Sequence, residues 1–175
     1  MGKTGLSRSW HVIYTRSRFE NVVLEGLRGK SMEAFLPRIT VSRRRRDRRV
    51  ALQVPMFPGY LFVKTDMAPS EHLEIKKTVG VVTLVGNAGG PIPVPDHAVE
   101  SLQIMARADS GVATGRAVRA GSRVMVVGGP FAGVEGALVR RKGKGRVIVN
   151  IDPLDRFAGV EIDMDDIEVL PDMGR

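Results

Sequence analysis

Few side chains in this sequence could carry covalent chemistry, and their spacing argues against it. His11, His72 and His97 are scattered, and the carboxylates of Asp163, Asp165, Asp166 and Glu168 cluster near the C-terminus with no His or Cys at ligand spacing. Cys is absent, which removes disulfides, thiolate zinc sites and cysteine nucleophiles together. No catalytic residue, metal site or cofactor is therefore expected. The residues that invite a chemical reading are arginines: Arg43, Arg44, Arg45, Arg46, Arg48 and Arg49 follow one another, interrupted only by Asp47. Planar guanidinium groups at this density suit phosphate contacts better than a mixed Lys and Glu face would. The competing reading is a merely solubilising tip.

The charge balance points the same way. The 175 residues carry 27 Lys and Arg against 19 Asp and Glu, a net charge of +8 that favours polyanionic partners. Residues 1–110 hold 17 basic and 10 acidic side chains, whereas residues 111–175 hold 10 and 9, so a nucleic-acid role belongs to the first part. With 43% hydrophobic and 26% charged residues the chain can bury a core and reads as globular. The N-terminus shows no signal peptide or membrane span. A soluble, cytoplasmic monomer with no membrane partner is expected.

The elements that position these residues centre on Pro55 to Val63, PMFPGYLFV. Phe57-Pro58-Gly59-Tyr60 predicts a type II turn, because Pro58 fixes its own φ and Gly59 tolerates φ > 0. The strand that follows alternates faces, so Tyr60 and Phe62 share one side and Leu61 and Val63 the other. Both sides are apolar and both need covering, by the chain itself or by another molecule. Upstream, Ser9 to Thr15 predicts a strand with Trp10, Val12 and Tyr14 on one face, Trp10 being core. Ser17 to Glu20 fits a capping box, opening a helix with Phe19, Val23 and Leu27 on one stripe and ending near Gly29. Met32 to Val41 predicts a second strand that Pro37 confines to an edge, and Val50 to Val54 a third, leaving Arg43 to Arg49 as a projecting flexible hairpin tip. A short helix from Pro69-Ser70 to Lys77 with Leu73 inward, a strand over Val81 to Val85, a loop over Asn87 to Pro95, and a helix from Asp96 carrying Val99, Leu102 and Met105 complete the first part.

Residues 109–120, small and Gly-containing, predict a flexible linker. Beyond it, short strands over Arg123 to Val127, Gly136 to Arg141, Arg146 to Ile151, Gly159 to Met164 and Ile167 to Leu170 suggest a small barrel, whose closure would hide their edges. The fold class is thus α+β, an antiparallel sheet with flanking helices, followed by a small SH3-like β-barrel. The expected partition is an N-terminal tail over 1–8, an α+β domain over 9–108, the linker, and a barrel domain over 121–172.

Along nearly its whole length the chain resembles NusG-type transcription elongation factors. The first domain shows SWHVIYT, AFLP at 34–37, FPGYLFV at 57–63 and TVGV at 78–81. The second shows Gly121-x-x-Val124 followed by GGPFAGVEG at 128–136, similar to a KOW motif. The resemblance implies a non-catalytic factor that docks the clamp helices of RNA polymerase through an apolar sheet surface, suppresses pausing and modulates termination or antitermination. Tyr14, Phe57, Tyr60 and Phe62 match that surface, with the arginines reaching DNA phosphates beside the cleft. The KOW domain in the family tethers a small-subunit ribosomal protein or Rho, and Phe131, Leu154 and Arg156 match its contact region. The segment from Asp152 to Gly159 is about two residues longer than the family pattern. The arginine run and PMFPGYLFVK are closer to specialised, operon-specific paralogues such as RfaH. In the alternative reading, a KOW-containing ribosomal or RNA-binding protein, the barrel rather than the first domain would carry the positive charge.

Overall fold

The computed structural model describes residues 7–119, 121–141 and 144–172. In chain order the first elements are β1 (Ser9–Thr15), α1 (Glu20–Gly29), β2 (Glu33–Phe35), β3 (Arg38–Arg45), β4 (Arg48–Pro55), β5 (Tyr60–Thr65), α2 (Pro69–Lys77), β6 (Val81–Leu84), β7 (Gly86–Asn87), β8 (Gly90–Pro91) and α3 (Asp96–Ala108). Then follow β9 (Ala113–Arg116), β10 (Ser122–Val126), β11 (Glu135–Arg141), β12 (Lys144–Ile151), β13 (Arg156–Ile162) and β14 (Ile167–Val169). The chain divides into two compact units, Met1–Pro37 with Phe57–Asp96 and Arg38–Met56 with His97–Arg175. Residues 1–6 of the expected N-terminal tail lie outside the described residues.

The first unit is built on a four-stranded sheet of order β2-β5-β1-β6, with β5 and β1 antiparallel at its centre. The expected turn is present: Tyr60 N–H donates to Phe57 O at 3.1 Å and Gly59 sits at φ 87°. One sheet face presents Ile13, Leu61, Val63 and Leu84 to Val23, Leu24 and Leu27 of α1 and Ile75 of α2, all buried. Gly80 closes this core, at φ 93°, because a Cβ there would fall within 2.9 Å of Phe19 and Val23.

Several local expectations are corrected. The Ser17–Glu20 capping box does not form: Phe19 occupies the N-cap with no side-chain bond, and the Glu20 carboxylate instead accepts from Gly59 N–H at 2.8 Å. A tertiary acceptor role for Glu20 outcompeted the local one. In α2 it is Ile75, not Leu73, that faces inward, since Leu73 is half exposed. The single strand expected over 32–41 is two, because Leu36 and Pro37 interrupt it and Pro37 has no N–H for the ladder. Part of the 87–95 loop pairs as the β7–β8 hairpin.

In the second unit, β3 and β4 form a hairpin. The flexible arginine loop is replaced by regular pairing through Arg45↔Arg48, with only Arg46 and Asp47 in the turn and Arg46 at φ 49°. The β-branched residues at the hairpin base carry the ladder outward into the arginines. The helix α3 buries Val99, Leu102 and Met105 as the periodicity predicts. The five expected C-terminal strands appear as neighbours β14-β10-β11-β12-β13 in one antiparallel sheet, and β9 adds a sixth beside β13. The segment expected to be a linker therefore contains a strand. Its Ala, Thr and Gly composition reads as flexible, but backbone pairing with an open strand edge needs no large side chain. Residues 142–143, between β11 and β12, lie outside the described residues.

Two titrating groups tie acid stability to the first unit. Burial opposes ionisation of the Glu71 carboxyl, but it accepts from the Thr65 hydroxyl at 2.7 Å, from Arg8 at 2.7 Å and from Asp66 N–H at 3.1 Å, which together hold it down to about 2. Its folded value lies below its unfolded one, so its stabilisation is present above about pH 4.5 and is lost as pH falls toward 2. Burial also pushes the His11 imidazole below its ordinary value, so stability falls as pH drops below about 6.5, where the unfolded chain takes up the proton first. In thermal melts, Glu71→Gln should lower the melting temperature most above pH 5, and the gap to wild type should close as pH approaches 2. A gap independent of pH would show that the carboxylate charge is not what these donors hold.

Candidate functional site

The face of the first sheet opposite the helix-packed core carries Trp10, Val12 and Tyr14 of β1 against Lys64, Phe62 and Tyr60 of β5, in that register. The register follows from the turn: with Gly59 O accepting from Thr15 N–H at 2.8 Å, Tyr14 must oppose Tyr60. Their ring centroids lie 5.3 Å apart, tilted by 35°, within the range of favourable aromatic pairs. Tyr14 is 42% exposed, Tyr60 is half-buried, and neither hydroxyl has a hydrogen-bond partner among the described residues. The pair borders an open groove walled by Thr83 of β6, by His72 and Lys76 of α2 and by the β7–β8 hairpin. An amphipathic ring pair with unspent hydroxyls and basic neighbours is equipped to bind a partner that is apolar at its centre and polar at its rim.

Phe62 and Phe57 differ from the tyrosines. Phe62 is 0% and Phe57 4% exposed. The Phe62 ring packs 6.1 Å from that of Phe35, its cross-strand partner on β2. Parity assigned Phe62 to the same face as Tyr60; it could not assign depth, which depends on where along a central strand the covering ends. Both phenylalanines are thus buried in the free chain, Phe62 beside the tyrosines on the same face and opposite Val12. Trp10 is buried as expected, bridged to Val94 and overlain by Lys64 Nζ at 5.7 Å. His72, Lys76 and Thr83 had no signal in the sequence, because nothing local to α2 or β6 says that they border the tyrosines.

The arginine hairpin is a second surface. Arg43, Arg44, Arg45, Arg46, Arg48 and Arg49 are all exposed, and none makes an ion pair among the described residues. The register sets Arg44 opposite Arg49 and Arg45 opposite Arg48, an arrangement of like charges that disfavours the ladder when no anion is present. Asp109, after α3, steadies the base by accepting from Thr40 N–H at 2.7 Å and from its hydroxyl, which lowers the carboxyl below its ordinary value.

In the C-terminal sheet the topology decides what meets. Consecutive strands β10 to β13 run antiparallel, so the β10–β11 turn holding Phe131 and the β12–β13 turn holding Leu154 lie at one end of the sheet, with Arg156 at the start of β13. Phe131 and Leu154 are half-buried and Arg156 is exposed.

Comparison with known proteins places the chain in a family. A family model described as transcription termination factor nusG matches residues 8–103. The chain belongs to the NusG family. Among curated relatives, the transcription termination/antitermination protein NusG of Thermus thermophilus is 30% identical over 155 residues, 81% of this chain and 83% of the relative. The proteins of the same name from Borreliella burgdorferi and Bacillus subtilis are each 27% identical, covering 93% and 94% of this chain and 99% and 100% of theirs. A solved structure titled for domain interaction in Thermotoga maritima NusG aligns over 94% of this chain with 19% identity and a TM-score of 0.49. Family membership makes this chain a transcription factor of the termination and antitermination class and not an enzyme. No helix among the described residues is long and apolar enough to cross a membrane.

The depth difference within the aromatic face gives a direct test. Phe62→Ala should cost roughly 3–5 kcal/mol in urea unfolding, whereas Tyr14→Ala, at a side chain 42% exposed that loses mainly its ring contact with Tyr60, should cost only about 1–2 kcal/mol. Equal losses would mean that Tyr14 is as much a part of the core as Phe62.

Proposed function

We propose that this NusG-family chain acts on transcribing RNA polymerase as an elongation factor, docking the clamp helices through the face that Tyr14 and Tyr60 expose. The observation that carries this reading is the tyrosine pair itself, half in solvent with unpartnered hydroxyls, at positions that match the docking surface of the family. Phe57 and Phe62, which match the same surface, are buried in the free chain. Once docked, the factor suppresses pausing and modulates termination. The division of labour is by domain: residues 9–108 bind polymerase, and residues 121–172 tether a small-subunit ribosomal protein or Rho through Phe131, Leu154 and Arg156, which share one end of the sheet.

The arginine hairpin contributes phosphate contacts to DNA in the elongation complex. Six exposed guanidinium groups with no ion pair among the described residues, four of them set opposite one another across a ladder, are relieved of mutual repulsion by a polyanion. The density of this run favours a second reading, an operon-specific paralogue, while the curated relatives carry the name of the general factor. Crosslinking to polymerase across a genome separates the two: a general factor is found on most transcription units, a specialised one on few.

If about four of these arginines neutralise phosphates, log affinity for the elongation complex should fall against log salt with a slope near −3.6. Replacing Arg43, Arg44, Arg45 and Arg46 by Gln should abolish most of that slope, equally on different templates, since phosphate contacts carry no sequence information. An unchanged slope would make the hairpin a solubilising tip. A loss confined to one template would reveal base recognition and favour the specialised factor.

A further inference from the structure

The strand β9 is held on the C-terminal sheet almost without side chains. Its residues Ala113, Thr114, Gly115 and Arg116 are half-buried or exposed, never buried, whereas Ala158 and Val160 of the neighbouring β13 are. Its hold consists of backbone pairing from Ala113↔Gly159 to Arg116↔Arg156, continued by Ala117 N–H to Asp155 O at 3.0 Å. The Asn150 side chain extends it, donating to Val118 O at 2.9 Å and accepting from Val118 N–H at 3.2 Å. Backbone pairing of this kind is what any extended segment could supply. Being part of the same chain gives β9 its advantage through effective concentration, not through its own chemistry.

Two features show that β9 is a poor match for the edge it covers. Arg116 lies directly opposite Arg156, a like-charge pair that weakens a ladder. Arg116 is drawn aside to Asp155 at 3.2 Å, and Arg156 is left exposed with no acidic partner among the described residues. Opposite Phe157 the strand has Gly115, and a Cβ there would lie 2.8 Å from the Phe157 ring. The edge thus selects a small residue facing Phe157 and, next to it, an acidic residue facing Arg156. The covering strand satisfies only the first.

We propose that β9 is a displaceable self-ligand, and that the β13 edge beneath it accepts an extended, acidic segment of a protein partner by strand addition. The exposed Arg156 and the Leu154 turn lie at the end of this same edge, so a segment entering there would meet both. This inference rests on the reading of the C-terminal domain as a partner-binding module, and adds to it the mode of binding, the sequence preference of the partner and the element that competes with it.

The test uses the full chain and a synthetic peptide of residues 111–118 carrying Arg116→Glu. By alternation from the Ala117–Asp155 bond, Gly115 turns its N–H toward Phe157, so Gly115→Pro removes a ladder donor from the middle of β9, sets ring atoms against Phe157 and should free the edge. The peptide should then shift the amide signals of Phe157, Ala158 and Gly159 at several-fold lower concentration than in wild type, and the unsubstituted peptide should bind more weakly. In the chain itself, Arg116→Glu should strengthen β9 and make the edge harder for the peptide to enter, a readout that needs no unfolding variant. Equal binding to wild type and Gly115→Pro, shifts at Ala113 to Arg116 from addition outside β9, or an Arg116→Glu chain that binds the peptide as well as wild type would each overturn the proposal. So would loss of the folded C-terminal sheet in Gly115→Pro, which would make β9 integral. Peptide binding by a chain that captures neither ribosomal protein nor Rho would remove the partner reading and leave strand addition standing. Capture of such a partner with no peptide binding at the edge would do the reverse.

Discussion

The pairing of β5 with β1, in the register that sets Tyr14 opposite Tyr60, is the constraint on which the first unit depends. A slip of one residue would exchange the two faces of β5, sending Leu61 and Val63 to the tyrosine side and Tyr60 and Phe62 into the helix-packed core. Three contacts guard against it: the Phe57–Tyr60 turn, the Thr15 bond to Gly59 O, and the Glu20 carboxylate on Gly59 N–H. Each acts on the same short turn, so the start of β5 is tied to β1 and to the first residue of α1 at once.

That anchoring explains how one strand serves two purposes. Leu61, Phe62 and Val63 are fully buried, and their burial stabilises the sheet. Tyr60, one residue nearer the turn, remains half in solvent with Tyr14 beside it. The proposed docking face is therefore not a separate patch added to the core but the point where the core's covering stops. Rings that pack on one another there are already partly ordered, which lowers the entropy lost when a partner covers them.

The second unit handles charge and edges in the same economical way. Its hairpin concentrates arginines that form no ion pair among the described residues, and the Asp109 carboxylate secures the base at Thr40. Its sheet leaves β13 capped by a strand with no buried side chain, so the surface near Leu154 and Arg156 combines a fixed turn with a weakly held neighbour. Stability and availability are separated along the chain: β12 and β13 supply buried Val147, Ile148, Val149, Ala158 and Val160, and β9 supplies none.

Much of this was legible in the sequence. Pro58-Gly59 specified a turn, alternation in Tyr60 to Val63 specified which side chains share a face, the 3.6-residue stripes of α1 and α3 named their buried residues, and the arginine run announced its own exposure through charge. These are local properties, decided by φ preferences, periodicity and desolvation cost within a few residues. What needed the tertiary structure was every choice between two locally acceptable partners. Glu20 could have capped its own helix and instead reaches Gly59. Leu73 and Ile75 were both eligible to face inward, and the packing of α2 chose Ile75. Phe62 and Tyr60 share a face and differ in depth. Residues 113–116 look like a linker because they lack side chains to bury, and become a strand because β13 offers unpaired backbone groups. The reason is common to all four: propensity describes what a segment can do alone, whereas burial and pairing depend on what the rest of the chain brings beside it.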